Sequence, residues 1–260
     1  MNKIDLPGVV WLASDIHLGP ASPATTEAFL AFLDTAAAEA QAVLLPGDIF
    51  DAWIGDDIIR TAPPWLATVL EAFKRTSARV PLWLGRGNRD FLIGQELADA
   101  VGAKLLPDQV ILGTDAGRIL LSHGDEFCTD DTAYQQFRTM VREPQWQAAF
   151  LAKTIPERLK AAQEARSESV AATQTKAAGI MDVNPDAIKA TFQSTGVSLM
   201  VHGHTHRPDR HVLMIDGKKR ERWVLPDWDL DHAQPPRGGW MVIDSDGIQR
   251  YDLDPAETNA

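Results

Sequence analysis

The chain has 260 residues, of which 45% are hydrophobic and 23% charged, so it is long enough for one large α/β domain, or a domain carrying an insertion, around a substantial core. Its formal net charge of −11 argues against nucleic acid or an anionic membrane as a partner held by diffuse attraction. The single cysteine, Cys128, leaves no intrachain disulfide, and no apolar run approaches the ~20 residues that span a bilayer, so a soluble or at most peripheral cytoplasmic protein is expected. The start, MNKIDLPGVVWLASD, does not read as a signal peptide.

In chain order, short β-rich runs are expected at Val9–Ala13, Ala42–Leu45, Val80–Leu84, Ile119–Ser122, Val197–Val201, Arg222–Leu225 and Trp240–Ile243. Helices are predicted over Ala24–Ala40, where Phe29, Phe32, Leu33 and Ala36 recur at helical spacing, and over Trp65–Lys74. Strands alternating with helices imply sheets with helices on their faces. From Phe127 to Ala178 glycine and β-rich runs disappear, which predicts a helical insertion over 127–182 between core segments 1–126 and 183–260. Asp131 is a candidate helix cap and Pro156 fits a first turn. Asn184-Pro185-Asp186 starts another helix, and Asp216-Gly217 and Asp246-Gly247 read as hairpin turns.

The first five β-rich runs each end in a polar loop: SDIHLG, PGDIFD, GRGNRDF, SHGDEF and HGHTHRP. In open α/β sheets ligands bind outside the carboxyl ends of the strands, so these loops would converge on one cleft. Taken singly each loop is ordinary: Asp48 suits a turn, Gly87-Asn88 and His123-Gly124-Asp125 suit turns, and even His204-x-His206 can be a histidine-rich bend. Together they offer Asp15, His17, Asp48, Asn88, His123, His204 and His206, all oxygen or imidazole donors without a thiolate, a set suited to Mn²⁺, Fe²⁺, Co²⁺ or Zn²⁺. Seven donors exceed one such ion and suit two ions about 3.5–4 Å apart with a carboxylate between them. Asp51, Asp56 and Asp57 lie further from the strand end and read as turn or surface residues.

In this order, D-x-H, G-D, G-N-x-D, H-G-D and G-H-x-H resemble the calcineurin-like metallophosphoesterases over residues 13 to 206. That resemblance implies a four-layer αββα sandwich with a helical cap insertion. It also implies Asp15, His17 and His206 on one metal, Asn88, His123 and His204 on the other, Asp48 bridging, and a hydroxide between them as nucleophile. Many members of that superfamily carry histidine after the asparagine, as the acid for an alkoxide leaving group. Here the residue is Arg89, which keeps its proton and suits charge stabilisation on phosphoryl oxygens, favouring a pyrophosphate bond over a phosphomonoester. The structural alternative for Arg89 is a salt bridge with Asp90.

The fuller motifs GDIFDAWIGDD, GNRDF, HGDEFCTDDTAYQ, IMDVN and HGHTHRP closely resemble the UDP-2,3-diacylglucosamine pyrophosphohydrolase family of lipid A biosynthesis. That resemblance spans nearly the whole chain. It implies two Mn²⁺ ions and hydrolysis of the UDP-linked diacylated glucosamine to UMP and 2,3-diacylglucosamine 1-phosphate, by attack at the α-phosphorus. Asp48, Asn88, Arg89 and His123 would be catalytic. Substrate would touch Asn88, Arg89, Asp131, Arg166, Ser169, Thr173, Lys176 and His204, with Thr173 standing where the family usually has asparagine. The cap would shelter acyl chains, for which Phe127, Phe137, Met140, Trp146, Phe150 and Leu151 are candidates alongside their reading as packed helix stripes. Of the cap's cations Lys153, Arg158, Lys160, Arg166 and Lys176, Arg166 and Lys176 are singled out and the others read as a solvated face. Peripheral contact with the cytoplasmic face of the inner membrane is expected through the cap, and no obligate protein partner. Two further readings fit the same residues: a dinuclear hydrolase of soluble nucleotides, and a non-catalytic scaffold of the same fold.

Overall fold

The computed structural model describes residues 1–175 and 182–253, with the backbone alone over 168–175. Among these residues, strands form two six-stranded sheets. The first contains parallel strands β2 (Val10–Leu12), β3 (Ala42–Leu45), β4 (Leu82–Leu84) and β5 (Lys104–Leu105). β11 (Gly239–Asp244) and β12 (Gly247–Asp252) extend it antiparallel on the other side of β2. The second runs from β1 (Asn2–Asp5) through β6 (Gln109–Thr114), β7 (Gly117–Ser122), β8 (Leu199–His202) and β10 (Lys218–Val224) to β9 (Arg210–Ile215).

Side-chain alternation along these strands stacks the layers. Val10, Leu12, Ala42 and Leu44 of the first sheet meet Val110, Leu112, Ile119, Leu121 and Val201 of the second in one buried cluster between the sheets. The intervening Trp11, Val43 and Leu45 face outward onto helices α1 (Pro23–Glu39), α2 (Pro64–Ser77) and α3 (Gln95–Val101). On the far side Ile111, Leu120 and Met200 face α7 (Pro185–Thr195) through Ile188 and Phe192. The result is the expected α/β/β/α sandwich. On α1 the buried stripe is Phe29, Phe32, Leu33 and Ala36, each large side chain there contributing roughly 1.5–3 kcal/mol. The helix starts without a side-chain cap from Ser22; Asp231, from far along the chain, instead accepts from Ala24 N–H at 3.0 Å and Thr25 N–H at 2.9 Å.

Between the fourth loop and α7 lie α4 (Thr132–Arg142), α5 (Pro144–Leu151) and α6 (Ile155–Thr175). Asp131 caps α4 by accepting from Tyr134 N–H at 3.1 Å. Thr154 and Glu157 open α6, with Glu157 Oε2 accepting from Thr154 N–H at 2.8 Å. Asn184 caps α7, accepting from Asp186 N–H at 2.8 Å and Ala187 N–H at 3.0 Å.

Several expectations need correction. Strands β1, β5 and β6 and helix α3 were not expected: β1, β5 and α3 are short, and β6 was missed although Val110, Ile111 and Leu112 are buried; β9 and β12 were implied only through the expected hairpin turns. Asp216-Gly217 is a two-residue turn with both φ positive, but the second hairpin turns at Ser245-Asp246, since Gly247 already pairs with Asp244. Phe127 is not a cap residue in packing terms: it lies in the cluster beneath α7. Arg158, read as solvated, is only 2% exposed and donates to Ile54 C=O at 2.7 Å and to Asp57, fastening α6 to the core.

Candidate metal centre

The five polar loops do meet. β2 leads into Asp15 and His17, β3 into Asp48, β4 into Asn88 and Arg89, β7 into His123, and β8 into His204 and His206. The first three strands belong to one sheet and the last two to the other, so the cleft straddles the carboxyl edge of the sandwich. Five of the seven candidate donors hold left-handed backbone: Asp15 (φ 56°), His17 (54°), Asp48 (50°), His204 (69°) and His206 (53°). Such conformations cost on the order of 1–3 kcal/mol each and gather where function demands them. Gly87 and Gly203 serve close approach instead, since a Cβ on either would collide with the carboxylates of Asp48 and Asp15 respectively.

Among the described residues two donor groups emerge, each drawing ligand atoms within 4.8 Å and both including Asp15: Asp15, His17 and His206, and Asp15, Asp48 and His123. His17 Nε2 lies 3.2 Å from His206 Nε2 and 3.9 Å from Asp48 Oδ2. On the other side Asn88 Oδ1 is 3.2 Å from His123 Nε2 and 2.8 Å from His204 Nδ1, and His123 Nε2 is 3.7 Å from Asp48 Oδ1. Asp48 thus turns one oxygen to each group. Asp90 is fully buried and accepts from the N–H groups of Gly87 (2.7 Å), Asp48 (3.1 Å) and Ile49 (2.7 Å), locking the second loop to the third. That use of its carboxylate replaces the salt bridge to Arg89, which is not formed. His202, the third histidine of the last motif, is no donor: Arg222 Nη1 lies 3.0 Å from its Nε2, and its Nδ1 is 2.8 Å from Gly203 O.

The electrostatics are those of donors crowded together out of water. Burial pushes Asp48 up to about 7, with Asp90 and Asp15 adding and His123 and Arg89 opposing. Burial would raise Asp15 too, but the hydrogen bond and charge of His206, with His123 and His17, hold it below the usual carboxylate range. Burial, then His206, lowers His17 to about 3, and burial, then His123, lowers His204 to about 4. His206 moves upward to about 10, because Asp15 and Asp227 outweigh its burial. Paired buried carboxylates ringed by imidazoles fit divalent cations, and His17 Nδ1 and His123 Nδ1 are buried with no hydrogen-bond partner among the described residues to divert those rings to another task.

Around this centre the backbone N–H of Arg89 donates to Asp48 Oδ1 at 2.8 Å, and its side-chain Nε is buried without a hydrogen-bond partner among the described residues. Arg166 reaches the same edge from α6, its Nη2 3.0 Å from Asp51 Oδ1. Burial, then the nearby Arg89 charge, lowers its pKa. Asp131 is placed at the α4 N-terminus. The side chains of Ser169 and Thr173, and all of Lys176, lie outside the described residues. Sequence reasoning missed Tyr134, whose ring stacks on His204 at 5.9 Å, and Asp125 as its anchor, accepting from Tyr134 Oη at 2.6 Å and Arg138 Nε at 2.8 Å. It also missed Asp227, 3.4 Å from His206 Nδ1. The rule that selected five strand-end loops would have found Asp227 had it been extended to the LPDWD loop after β10.

Comparison with known proteins identifies the family. The calcineurin-like phosphoesterase family matches residues 8–208. A Bordetella pertussis protein named UDP-2,3-diacylglucosamine hydrolase is 70% identical over 97% of this chain and 98% of its own length. One of the same name from Chromohalobacter salexigens is 42% identical over 92% of this chain and 94% of its own. Among solved structures, a novel archaeal phosphodiesterase aligns over 94% of this chain and 99% of its own at 11% identity and a TM-score of 0.46, too loose a likeness to add to the sequence relatives. Two sheets whose strand ends share one oxygen-and-imidazole centre, and a family match that covers all five loops, lead to one conclusion: the chain belongs to the calcineurin-like phosphoesterase family.

Proposed function

We propose that this protein hydrolyses the pyrophosphate bond of UDP-2,3-diacylglucosamine, giving UMP and 2,3-diacylglucosamine 1-phosphate, with water attacking the α-phosphorus. The observation that supports the reading is a pair of guanidinium charges, Arg89 and Arg166, at the edge of two donor groups that share Asp15 and between which Asp48 turns its two oxygens. The name of the full-length relatives supports the identity of the substrate. Asp15, His17, Asp48 and His206 would hold one cation and Asp48, Asn88, His123 and His204 the other, Mn²⁺ being the first candidate for both. Bound there, two such ions lower the pKa of water and draw charge off phosphoryl oxygens.

The chain's own side chains do the rest. Arg89 and Arg166 bind the phosphates, and Asn88 and His204 orient them. A phosphate leaving group, with a second pKa near ~6, departs without the proton an alkoxide needs, so arginine in place of a histidine acid is no handicap. Asp131, Ser169, Thr173 and Lys176 complete the contacts with the sugar and cap side. The insertion that follows the core-packed Phe127 acts as the cap: Tyr134 and Arg166 bring α4 and α6 to the centre, and Phe137, Met140, Leu151 and Leu159 expose apolar surface for acyl chains or the cytoplasmic face of the inner membrane. No described helix is long and apolar enough to cross a membrane.

The test is turnover of UDP-2,3-diacylglucosamine with Mn²⁺ in detergent and ¹⁸O-labelled water, products weighed by mass spectrometry. Label in UMP and none in the lipid phosphate is the expected result. Cleavage of soluble nucleotides with the lipid left intact would overturn the substrate assignment.

A further inference from the structure

The loop after β10 passes behind the histidines of the last motif. Leu225 N–H donates to His202 C=O at 2.7 Å and Trp228 N–H to Asp15 C=O at 3.0 Å, so the short span between them is tied at both ends to donor-bearing segments. Asp227 lies in that span and is 3% exposed. Its Oδ2 accepts from Arg237 Nε at 3.1 Å and Nη2 at 2.9 Å, and stands 3.4 Å from His206 Nδ1. The opposite ring nitrogen, His206 Nε2, faces Asp15 Oδ1 at 3.4 Å and His17 Nε2 at 3.2 Å. One nitrogen of His206 therefore looks into the donor group and the other onto a buried carboxylate.

Imidazole binds a cation through a proton-free nitrogen, so its remaining proton must sit on the far one. A carboxylate placed there fixes that tautomer, sets the ring's orientation and makes the ligating nitrogen a better donor. We infer that Asp227 is a positioning residue for the metal centre, holding the proton on His206 Nδ1 so that Nε2 is presented beside Asp15 and His17. Arg237 holds Asp227 from behind, so the carboxylate meets the ring as an anion braced by a guanidinium. Among the described residues His17 and His123 have no such backing, their Nδ1 atoms being buried without a hydrogen-bond partner there. Asp227 lies beyond residues 8–208, the stretch matched by the family, and follows the last histidine motif. The inference rests on the two-metal part of the proposed function and not on the lipid substrate.

The experiment measures Mn²⁺ binding to the full chain by titration calorimetry, beside thermal unfolding of the metal-free protein. Asp227→Asn keeps the shape but can turn an NH₂ toward Nδ1, favouring the wrong tautomer. Expected is a loss of roughly 10–100-fold in affinity at one of two Mn²⁺ sites, with the other site and the unfolding temperature unchanged. Arg237→Gln, which removes only the brace, should weaken Mn²⁺ binding far less. A folded Asp227→Asn with both affinities intact would overturn the inference, as would an equal loss in Arg237→Gln. If Asp227→Asn does not fold, imidazole nitrogen shifts of the Zn²⁺-loaded wild type decide: a protonated His206 Nδ1 supports the inference, and a protonated Nε2 overturns it. A wild type that binds no divalent cation would overturn the two-metal reading itself, which separates that failure from this one.

Discussion

Arg166, on α6, places its Nη2 3.0 Å from Asp51 Oδ1, on the loop that also carries Asp48. The pair bridges cap and core at the edge of the donor groups and keeps a second guanidinium near Arg89. Arg166→Ala is expected to lower kcat/KM by about 10–100-fold, the worth of one charge-assisted hydrogen bond of roughly 1.5–3 kcal/mol. Metal content, measured by mass spectrometry of the isolated protein, should stay at the wild-type level.

Asp48 and Arg89 are joined by a hydrogen bond, yet their replacement should separate two properties. Asp48→Ala removes the carboxylate that turns one oxygen toward His17 and the other toward His123, so activity and metal content are expected to fall together. Arg89→Ala should cut turnover by roughly 10²–10³-fold, as loss of one charge-stabilising donor does, with metal content nearly unchanged. Full metal occupancy and near-normal turnover in Asp48→Ala would remove the basis for a bridging role.

Asp125 anchors the cap at its other end. Its buried carboxylate accepts from Tyr134 and Arg138, and Arg142 of the same helix lies 3.7 Å away while donating to Gly87 C=O. Asp125→Asn strands buried charge and is expected to cost about 3 kcal/mol. Tyr134→Phe, which loses one hydrogen bond, should cost only about 1 kcal/mol. Chemical denaturation of both variants checks the order; a Tyr134→Phe as unstable as Asp125→Asn would contradict it.

Arg158 ties α6 down by donating to Ile54 C=O and Asp57, so Arg158→Ala leaves a buried carbonyl unpaired and should cost roughly 1–3 kcal/mol, with faster proteolysis in the cap. The Arg158 hydrogen bond holds the Asp57 carboxyl below its ordinary pKa. A depressed carboxylate stabilises the fold above its unfolded pKa and loses that contribution as pH falls through the folded value. The stability gap between wild type and Asp57→Asn should therefore be level from pH 5 to 8 and close below about pH 4. A gap that closes instead above pH 6 would exclude this pair as its source.

The sequence by itself determined the parts whose signals are local. Short continuous apolar, β-rich runs located β2, β3, β4, β7 and β8, and the polar loops after them carry Asp15, His17, Asp48, Asn88, His123, His204 and His206. Caps such as Asn184 and Asp131 were legible because a cap bonds residues two or three positions ahead. Only the tertiary structure decided what depends on packing between distant segments. Arg158, an ordinary charged position in a mostly polar helix, became one of the most buried side chains because Ile54 and Asp57 lie under it. Asp227 acquired a partner in His206 because β10 runs beside β8, a pairing no local pattern encodes. Periodicity reports which face of an element is apolar; which groups meet across elements is set by the sheet order and the stacking of the layers.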